Sequence, residues 1–311
     1  MPKVSVIIPT HNRAELLGKA VQSILDQTFT DFELLVCDDA STDNTPELIK
    51  RFEDKRILYT RYETNRGVIE VRNNAITNSK GKYIEFLDDD DEWIPTKLEK
   101  QVALLDRSPD KLGVVYTGAS STDMELGRII KVFTPRYRGN ILKDLLKGNF
   151  LNTSTIVLRK LCFEKLGLFD PRFGYAEDFD MWIRIAEVFD YDYIKESLVK
   201  HRVNRVSLST NYGSVTRGLE NLFVKHRELF ESDDKALGVH FFKLGIAYCY
   251  YGDTKLGRSN ILKAIKLNPF DIKLYYNLFI SSLGPNIFKF LKDSKKSFIS
   301  LAKPQNQVER H

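Results

Sequence analysis

Apolar and polar positions fall in alternating blocks along the first hundred residues. Val4 to Ile8 is a β-branched run closed by Pro9, which predicts a strand. Leu16, Leu17, Ala20, Val21, Ile24 and Leu25 then recur at helical spacing. Leu34 to Cys37 predicts a second strand ending in Asp38, Asp39, Ala40 and Ser41, and Thr45–Pro46 reads as a helix start. Ile57 to Tyr59 is a third strand, Val68 to Asn78 a helix, and Tyr83 to Leu87 a fourth strand. Strand–helix alternation of this kind predicts a mostly parallel sheet flanked by helices, an α/β fold. Parallel strands carry their functional loops at their C-terminal ends. Polar groups collect at three such ends: Pro9–Arg13, Asp38–Asp39 and an acidic run after Leu87.

Beyond about Lys111 the pattern loosens. Strands are expected at Val114–Thr117 and Ile129–Phe133, around a Met124-Glu125-Leu126-Gly127 turn, and at Thr155–Leu158, with a helix over Phe179–Val188. This stretch reads as a mixed sheet where an acceptor would be held. Residues 215–303 read as helical. Phe241, Leu244, Gly245 and Tyr248, followed by Gly257, Ile261, Ala264 and Pro269, resemble a tetratricopeptide repeat in which Gly257 replaces the usual alanine. An ordinary helical hairpin is the competing reading. The expected division is 1–212 as one domain, 213–303 as a helical region and 304–311 as a disordered tail.

Bulk composition changes this picture little. Hydrophobic residues at 42% and charged residues at 29% of 311 describe an ordinary globular chain. A net charge of +5 permits attraction to phosphates or an anionic membrane without demanding nucleic acid. Cys37, Cys162 and Cys249 lie in apolar surroundings without metal-ligand spacing, which fits buried free thiols in a reducing compartment. The chain runs from Met-Pro-Lys straight into a strand with no signal pattern, and it has no apolar window of about 18 residues, so a cytoplasmic location is expected.

The candidate chemistry sits where Tyr83–Leu87 meets four consecutive aspartates, Asp88 to Asp91. So much like charge in one turn is unfavourable without a positive partner, and a hard divalent cation with oxygen ligands is the expected one. A solvated acidic loop is the plain alternative. No G-x-G-x-x-G follows the first strand and no P-loop lysine motif occurs, which disfavours a Rossmann dehydrogenase or a P-loop NTPase.

Lys3-Val-Ser-Val-Ile-Ile-Pro-Thr-His-Asn-Arg13, Val36-Cys-Asp-Asp-Ala-Ser-Thr-Asp43, Asn65-Arg-Gly67, Arg72-Asn73, Phe86–Trp93, Gly167-Leu-Phe-Asp170 and Glu177-Asp178 stand in this order. In that order the chain, over roughly residues 3 to 210, resembles the family-2 glycosyltransferases of GT-A fold. The resemblance implies that Pro9, Thr10 and Asn12 line a nucleotide pocket and that Asp39 hydrogen-bonds the base. It places Arg72 near the base or phosphates, Asp88 near the ribose and metal, and Asp90 on a Mg²⁺ or Mn²⁺. Asp178 matches the catalytic base and Glu177 its neighbour; a helix-start acid is the plain alternative for Asp178. Trp182 and Arg184 either line an acceptor pocket or serve as a core aromatic and a surface charge. Many relatives carry an Arg-x-His here; this chain reads His201-Arg-Val-Asn204, so Asn204, a shifted His201, or Arg202 with Arg205 would take over that role.

The implied activity is inverting, metal-dependent transfer from a nucleotide-sugar, probably a UDP-sugar by the resemblance, to a glycan or lipid-linked hydroxyl acceptor. The alternatives are a non-catalytic sugar-nucleotide-binding scaffold that recruits protein partners through its helices, and a sugar nucleotidyltransferase. In the tail, Ile287, Leu291, Ser294, Phe298 and Leu301 share one helical face apart from Lys289, Lys292, Lys295, Lys296 and Lys303, so peripheral contact with an anionic membrane is a further expectation beside plain packing on the neighbouring helices.

Overall fold

The computed structural model describes residues 1–123, 128–203 and 212–301. The expected turn at Met124–Gly127, position Asn204, Arg205 and the expected tail 304–311 lie outside the described residues. The chain divides into two compact units, Met1–Ser207 and Leu208–His311.

In the first unit, β1 (Val4–Thr10), β2 (Phe32–Asp38), β3 (Ile57–Arg61) and β4 (Tyr83–Phe86) form a parallel block in the order β3-β2-β1-β4. β1 and β2 are buried along their whole length, which is why they read as unbroken apolar runs. Helix α1 (Ala14–Leu25) lays Leu17, Ala20, Val21 and Ile24 on the sheet, meeting Val4, Val6, Ile8, Leu34 and Val36. Helices α2 (Thr45–Lys50) and α3 (Val68–Asn78) complete the other crossovers. The register sets Thr10 beside Asp38 and Ile7 beside Phe86. The three polar strand ends therefore emerge on one edge of the sheet.

The remaining strands make the sheet mixed. After β5 (Glu92–Trp93) and α4 (Lys97–Asp106), β6 (Leu112–Asp123) forms a hairpin with β7 (Arg128–Phe133). Helix α5 (Leu142–Leu146) leads to β8 (Ile156–Arg159), which lies antiparallel between β4 and β6, and then to α6 (Lys160–Leu166). Helix α7 (Glu177–Val188) then feeds β9 (Asp190–Val203). β9 runs parallel to β6 and antiparallel to β5, pairing Glu92 with Lys200 and Trp93 with Val199. On the face away from α1, Phe86 packs edge-on against Phe169 at 5.6 Å between ring centroids, and Phe169 meets Trp182 at 6.3 Å. This aromatic layer lies directly under the strand that carries the aspartates. All three cysteines are free and buried, as expected.

The second unit is helical: α8 (Tyr212–Lys225), α9 (Arg227–Glu231), α10 (Asp234–Tyr251), α11 (Thr254–Leu267), α12 (Ile272–Ser282) and α13 (Pro285–Leu301). Asp233, Asp253 and Asp271 cap the N-termini of α10, α11 and α12 through their side chains. Helices α10 and α11 cross with almost no separation. A Cβ on Gly257 would stand 2.3 Å from Cys249 Sγ, and one on Gly245 would stand 2.8 Å from Ile261 Cγ1. These are the small positions that the repeat spacing singled out. No helix among the described residues is long and apolar enough to cross a membrane.

Candidate active site

Three loops meet above the C-terminal ends of β1, β2 and β4. Asn12 stitches the first to the second: its Oδ1 accepts from Thr42 N (2.6 Å), and its own N–H donates to Ser41 Oγ (2.9 Å). Asp43 supports both helices that follow, accepting from Ala14 N (3.0 Å) and Thr45 N (3.1 Å). Thr10 ties the first loop to the acidic run, donating from its hydroxyl to Asp89 Oδ2 (2.8 Å). Pro9 is buried at the end of β1, opposite Cys37. Asp39 N donates to Thr10 O (2.9 Å), while the Asp39 carboxylate accepts from Arg66 N (2.7 Å) and Gly67 N (2.9 Å). Asp39 thus shapes the segment entering α3 with both of its carboxylate oxygens.

The acidic run is neutralised by protein cations, which revises the expectation that only a divalent ion would stand there. Arg13 Nη1 donates to Asp89 Oδ1 (3.0 Å) and Asp90 Oδ2 (3.1 Å). Arg72 Nη2 donates to Asp88 Oδ1 (2.8 Å). The buried Asp91 accepts from His201 Nδ1 (2.8 Å) and Arg202 N (3.3 Å), and Arg202 also pairs with Glu92. Burial pushes the Asp89 carboxyl up to about 6 despite Arg13 beside it. The hydrogen bond to Asp91 raises the His201 imidazole above its ordinary value. Of the alternatives the sequence left open, His201 is the one that stands against the acidic run, and Arg202 stands beside it. Both arrive there because β5 pairs with β9.

Arg72 does a second thing. Its Nη1 donates to Glu177 Oε1 (3.2 Å), so one buried guanidinium holds Asp88 and Glu177 together. Next to Glu177, in the first turn of α7, Asp178 accepts from Asn149 Nδ2 (3.0 Å) and from Phe179 N (2.7 Å). Burial, with the charge of Glu177 second, pushes the half-buried Asp178 carboxyl up to about 6. Asn73 fixes the approach to that helix: its amide donates to Phe169 O (2.8 Å) and accepts from Phe169 N (3.0 Å). That clamp explains why Arg72-Asn73 and Gly167–Asp170 travel together as motifs. Non-glycine residues with positive φ among the described residues are Asn12 (54°), Ala40 (62°) and Ala176 (70°). All three lie in loops that build this site, where backbone strain tends to be stored.

Trp182 is a correction. Its side chain is wholly buried in the aromatic layer, so it supports the site from beneath and lines no open pocket. Arg184 is likewise engaged, with Asp180 and with the carbonyls of Leu166 and Leu168. Three contributors carried no assignment from the sequence. Asn149 lies in a loop with no periodicity and 29 residues from its partner. Arg13 stood in a quoted motif without a role. Ser154 is buried behind the run, with its Oγ accepting from Asp88 N (3.1 Å) and its carbonyl from Trp93 Nε1 (2.9 Å).

Asp88 and Asp90 offer carboxylate oxygens, the donors that hard divalent cations take. Among the described residues no three His, Cys, Asp or Glu side chains converge on one point. An ion held there would therefore complete its shell with phosphate oxygens and water, as Mg²⁺ commonly does. The donor set fits such an ion.

Taken together, this is a sugar-nucleotide transferase type of site on a GT-A-like fold. The fold matches the Staphylococcus aureus TarS 1–349 structure in complex with UDP-GlcNAc (TM-score 0.69, 17% identity, 95% of this chain and 92% of that one). It also matches the mannosyltransferase PcManGT from Pyrobaculum calidifontis in complex with GDP-Man and Mn²⁺ (TM-score 0.61, 18% identity, 99% and 88%). Residues 5–166 match the model of glycosyl transferase family 2, and the chain belongs to that family. The Escherichia coli UDP-Glc:alpha-D-GlcNAc-diphosphoundecaprenol beta-1,3-glucosyltransferase WfgD is 30% identical over 210 residues, covering 67% of this chain and 80% of that protein. An uncharacterized glycosyltransferase of Rickettsia prowazekii is 31% identical over 207 residues, and the match spans 64% of its length.

Proposed function

We propose that the chain is an inverting, metal-dependent glycosyltransferase that moves a sugar from a nucleoside diphosphate donor, a UDP-sugar, to a hydroxyl acceptor in polysaccharide or other cell-surface glycan assembly. The observation that carries this reading is the shared guanidinium of Arg72, which sets Asp88 of the acidic run beside Glu177 and Asp178 in one site. The two halves of a displacement reaction need carboxylates with different duties, and this arrangement supplies them within reach of each other.

On this reading Thr10, Asn12 and the Asp39 loop hold the nucleoside. Asp88 and Asp90 would hold Mg²⁺ or Mn²⁺, which when bound offsets the negative charge developing on the leaving diphosphate. Arg13 and Arg72, and His201 and Arg202 from β9, are the chain's own cations at the same place. They can turn toward phosphate oxygens as an ion takes over the carboxylates. Asp178 accepts the proton of the attacking hydroxyl, and Asn149 keeps its carboxylate aimed. A single base and in-line attack on the face opposite the leaving group give inversion. TarS and PcManGT, each solved with a nucleotide-sugar, support a donor of that class. WfgD, a UDP-Glc-dependent enzyme by name, supports UDP as the base and a lipid-diphosphate-linked acceptor as one candidate.

The test is Asp178→Asn. Transfer from a UDP-sugar should fall by about 10² to 10⁴ in kcat while UDP binding stays within about twofold. Near wild-type turnover would remove Asp178 from its role. Absence of transfer or donor hydrolysis by the wild-type chain, across UDP- and GDP-sugars with Mn²⁺, would overturn the reading as a whole.

A further inference from the structure

Helix α12 is apolar on two sides. One side, with Leu274, Ile280 and the small polar Ser281, is buried against the rest of the second unit and suffices to anchor the helix. The other presents Ile272 (80% exposed), Tyr275, Tyr276 and Phe279 (65%), spaced i, i+3, i+4 and i+7, so they form a continuous stripe facing solvent. Phe270, in the turn before the helix, is 96% exposed, and Phe290 on α13 is 70% exposed. Single exposed apolar residues are ordinary, but a helical stripe of large ones with two phenylalanines nearby marks an interaction surface.

The charge around this stripe favours one occupant. Residues 254–301 contain nine lysines or arginines, two aspartates and no glutamate, so this short stretch is more positive than the whole chain at +5. Lys273 lies within the helix, and Lys263, Lys266 and Lys289 lie on its neighbours. Phenylalanine and tyrosine side chains at headgroup depth, with lysines whose long stems reach the phosphates, are the components of an interfacial membrane-binding face. A protein partner would need an apolar groove and an acidic rim; an anionic bilayer supplies both chemistries at once.

We propose that the α12–α13 face docks peripherally on an anionic membrane, with Ile272, Phe279 and Phe290 entering the interface and the surrounding lysines engaging lipid phosphates. The proposal does not depend on the glycosyltransferase reading, and its test uses no turnover. The full chain is sedimented with phosphatidylglycerol vesicles and with phosphatidylcholine vesicles, beside the Ile272→Ser/Phe279→Ser/Phe290→Ser variant. All three side chains are exposed, so circular dichroism and the unfolding midpoint should match wild type. The wild-type chain should partition onto phosphatidylglycerol and weaken at least roughly tenfold on phosphatidylcholine or in about 0.5 M salt. The variant should weaken at least roughly tenfold on phosphatidylglycerol. Should the apolar variant not fold, Lys263→Glu/Lys266→Glu/Lys273→Glu keeps the stripe and should lose the same binding. Equal binding by wild type and variants, or no binding to phosphatidylglycerol, overturns the proposal. So does light scattering that finds a wild-type dimer without lipid which the apolar variant makes monomeric, because the stripe would then cover a second copy.

Discussion

Asp178 faces two demands with opposite signs. Burial and the charge of Glu177 raise its carboxyl to about 6, so the base form that accepts a proton is complete only above that pH. The kcat of the wild-type chain should therefore climb as pH rises through about 6. Asn149 favours the charged form by donating to it. Asn149→Ala should move that climb to higher pH and lose more activity at pH 6 than at pH 8; an unmoved profile would reduce Asn149 to loop scaffolding. For stability the direction reverses. A carboxyl raised above its unfolded value binds its proton more readily when folded, so it favours folding below the unfolded pKa and opposes it as pH rises past about 6. Allowing for the partial exposure of this side chain, Asp178→Asn should gain about 1 kcal/mol at neutral pH while losing turnover, which calorimetry at pH 7.5 would register as a raised unfolding midpoint. Nothing in the sequence linked Asn149 to this pair, because a single amide in an aperiodic loop leaves no pattern. Asp178 itself was legible only because it sits beside an apolar helix with a familiar neighbour.

Elements differed sharply in how well their sequences announced them. β1, β2 and β4 are buried on both faces and closed by proline or aspartate, so apolar runs and polar ends located them and their loops together. β9 is 14 residues long yet went unread. Its register against β6 shifts near Thr117–Ala119, so inward positions lose strict alternation, and Lys195, Glu196 and Ser197 face water. That strand brings His201 and Arg202 to the acidic run, so the part of the site contributed by non-local pairing stayed hidden. The α10–α11 crossing was visible, through Gly245 and Gly257. There the usual repeat alanine is excluded by Cys249, since a Cβ on Gly257 would come within 2.3 Å of its sulfur. Gly257→Ala should cost about 1–3 kcal/mol of stability in the second unit. Adding Cys249→Ala should recover much of that loss by making room, and denaturant unfolding of the single and double variants would show whether it does.

For the whole molecule, ligand binding should appear as stability, because only the folded chain offers the site. With UDP and Mn²⁺ near 100 times the dissociation constant, the first unit should gain about 2.7 kcal/mol. Chelation or Asp90→Ala should remove the cation-dependent share and leave the unfolding of the helical unit in place. A shift equal with and without cation would argue that Arg13, Arg72 and Arg202 manage the diphosphate unaided. Arg72→Ala should cost about 3 kcal/mol even without ligand, since it strands two carboxylates that now share one counter-charge. That sharing has an outcome of its own. A guanidinium with two claimants cannot serve both equally once one finds another suitor, so a donor that occupies Asp88 hands Arg72 more fully to Glu177. The acceptor side is thereby altered before any acceptor arrives, and the two substrates should bind with measurable synergy that disappears when Arg72 is replaced.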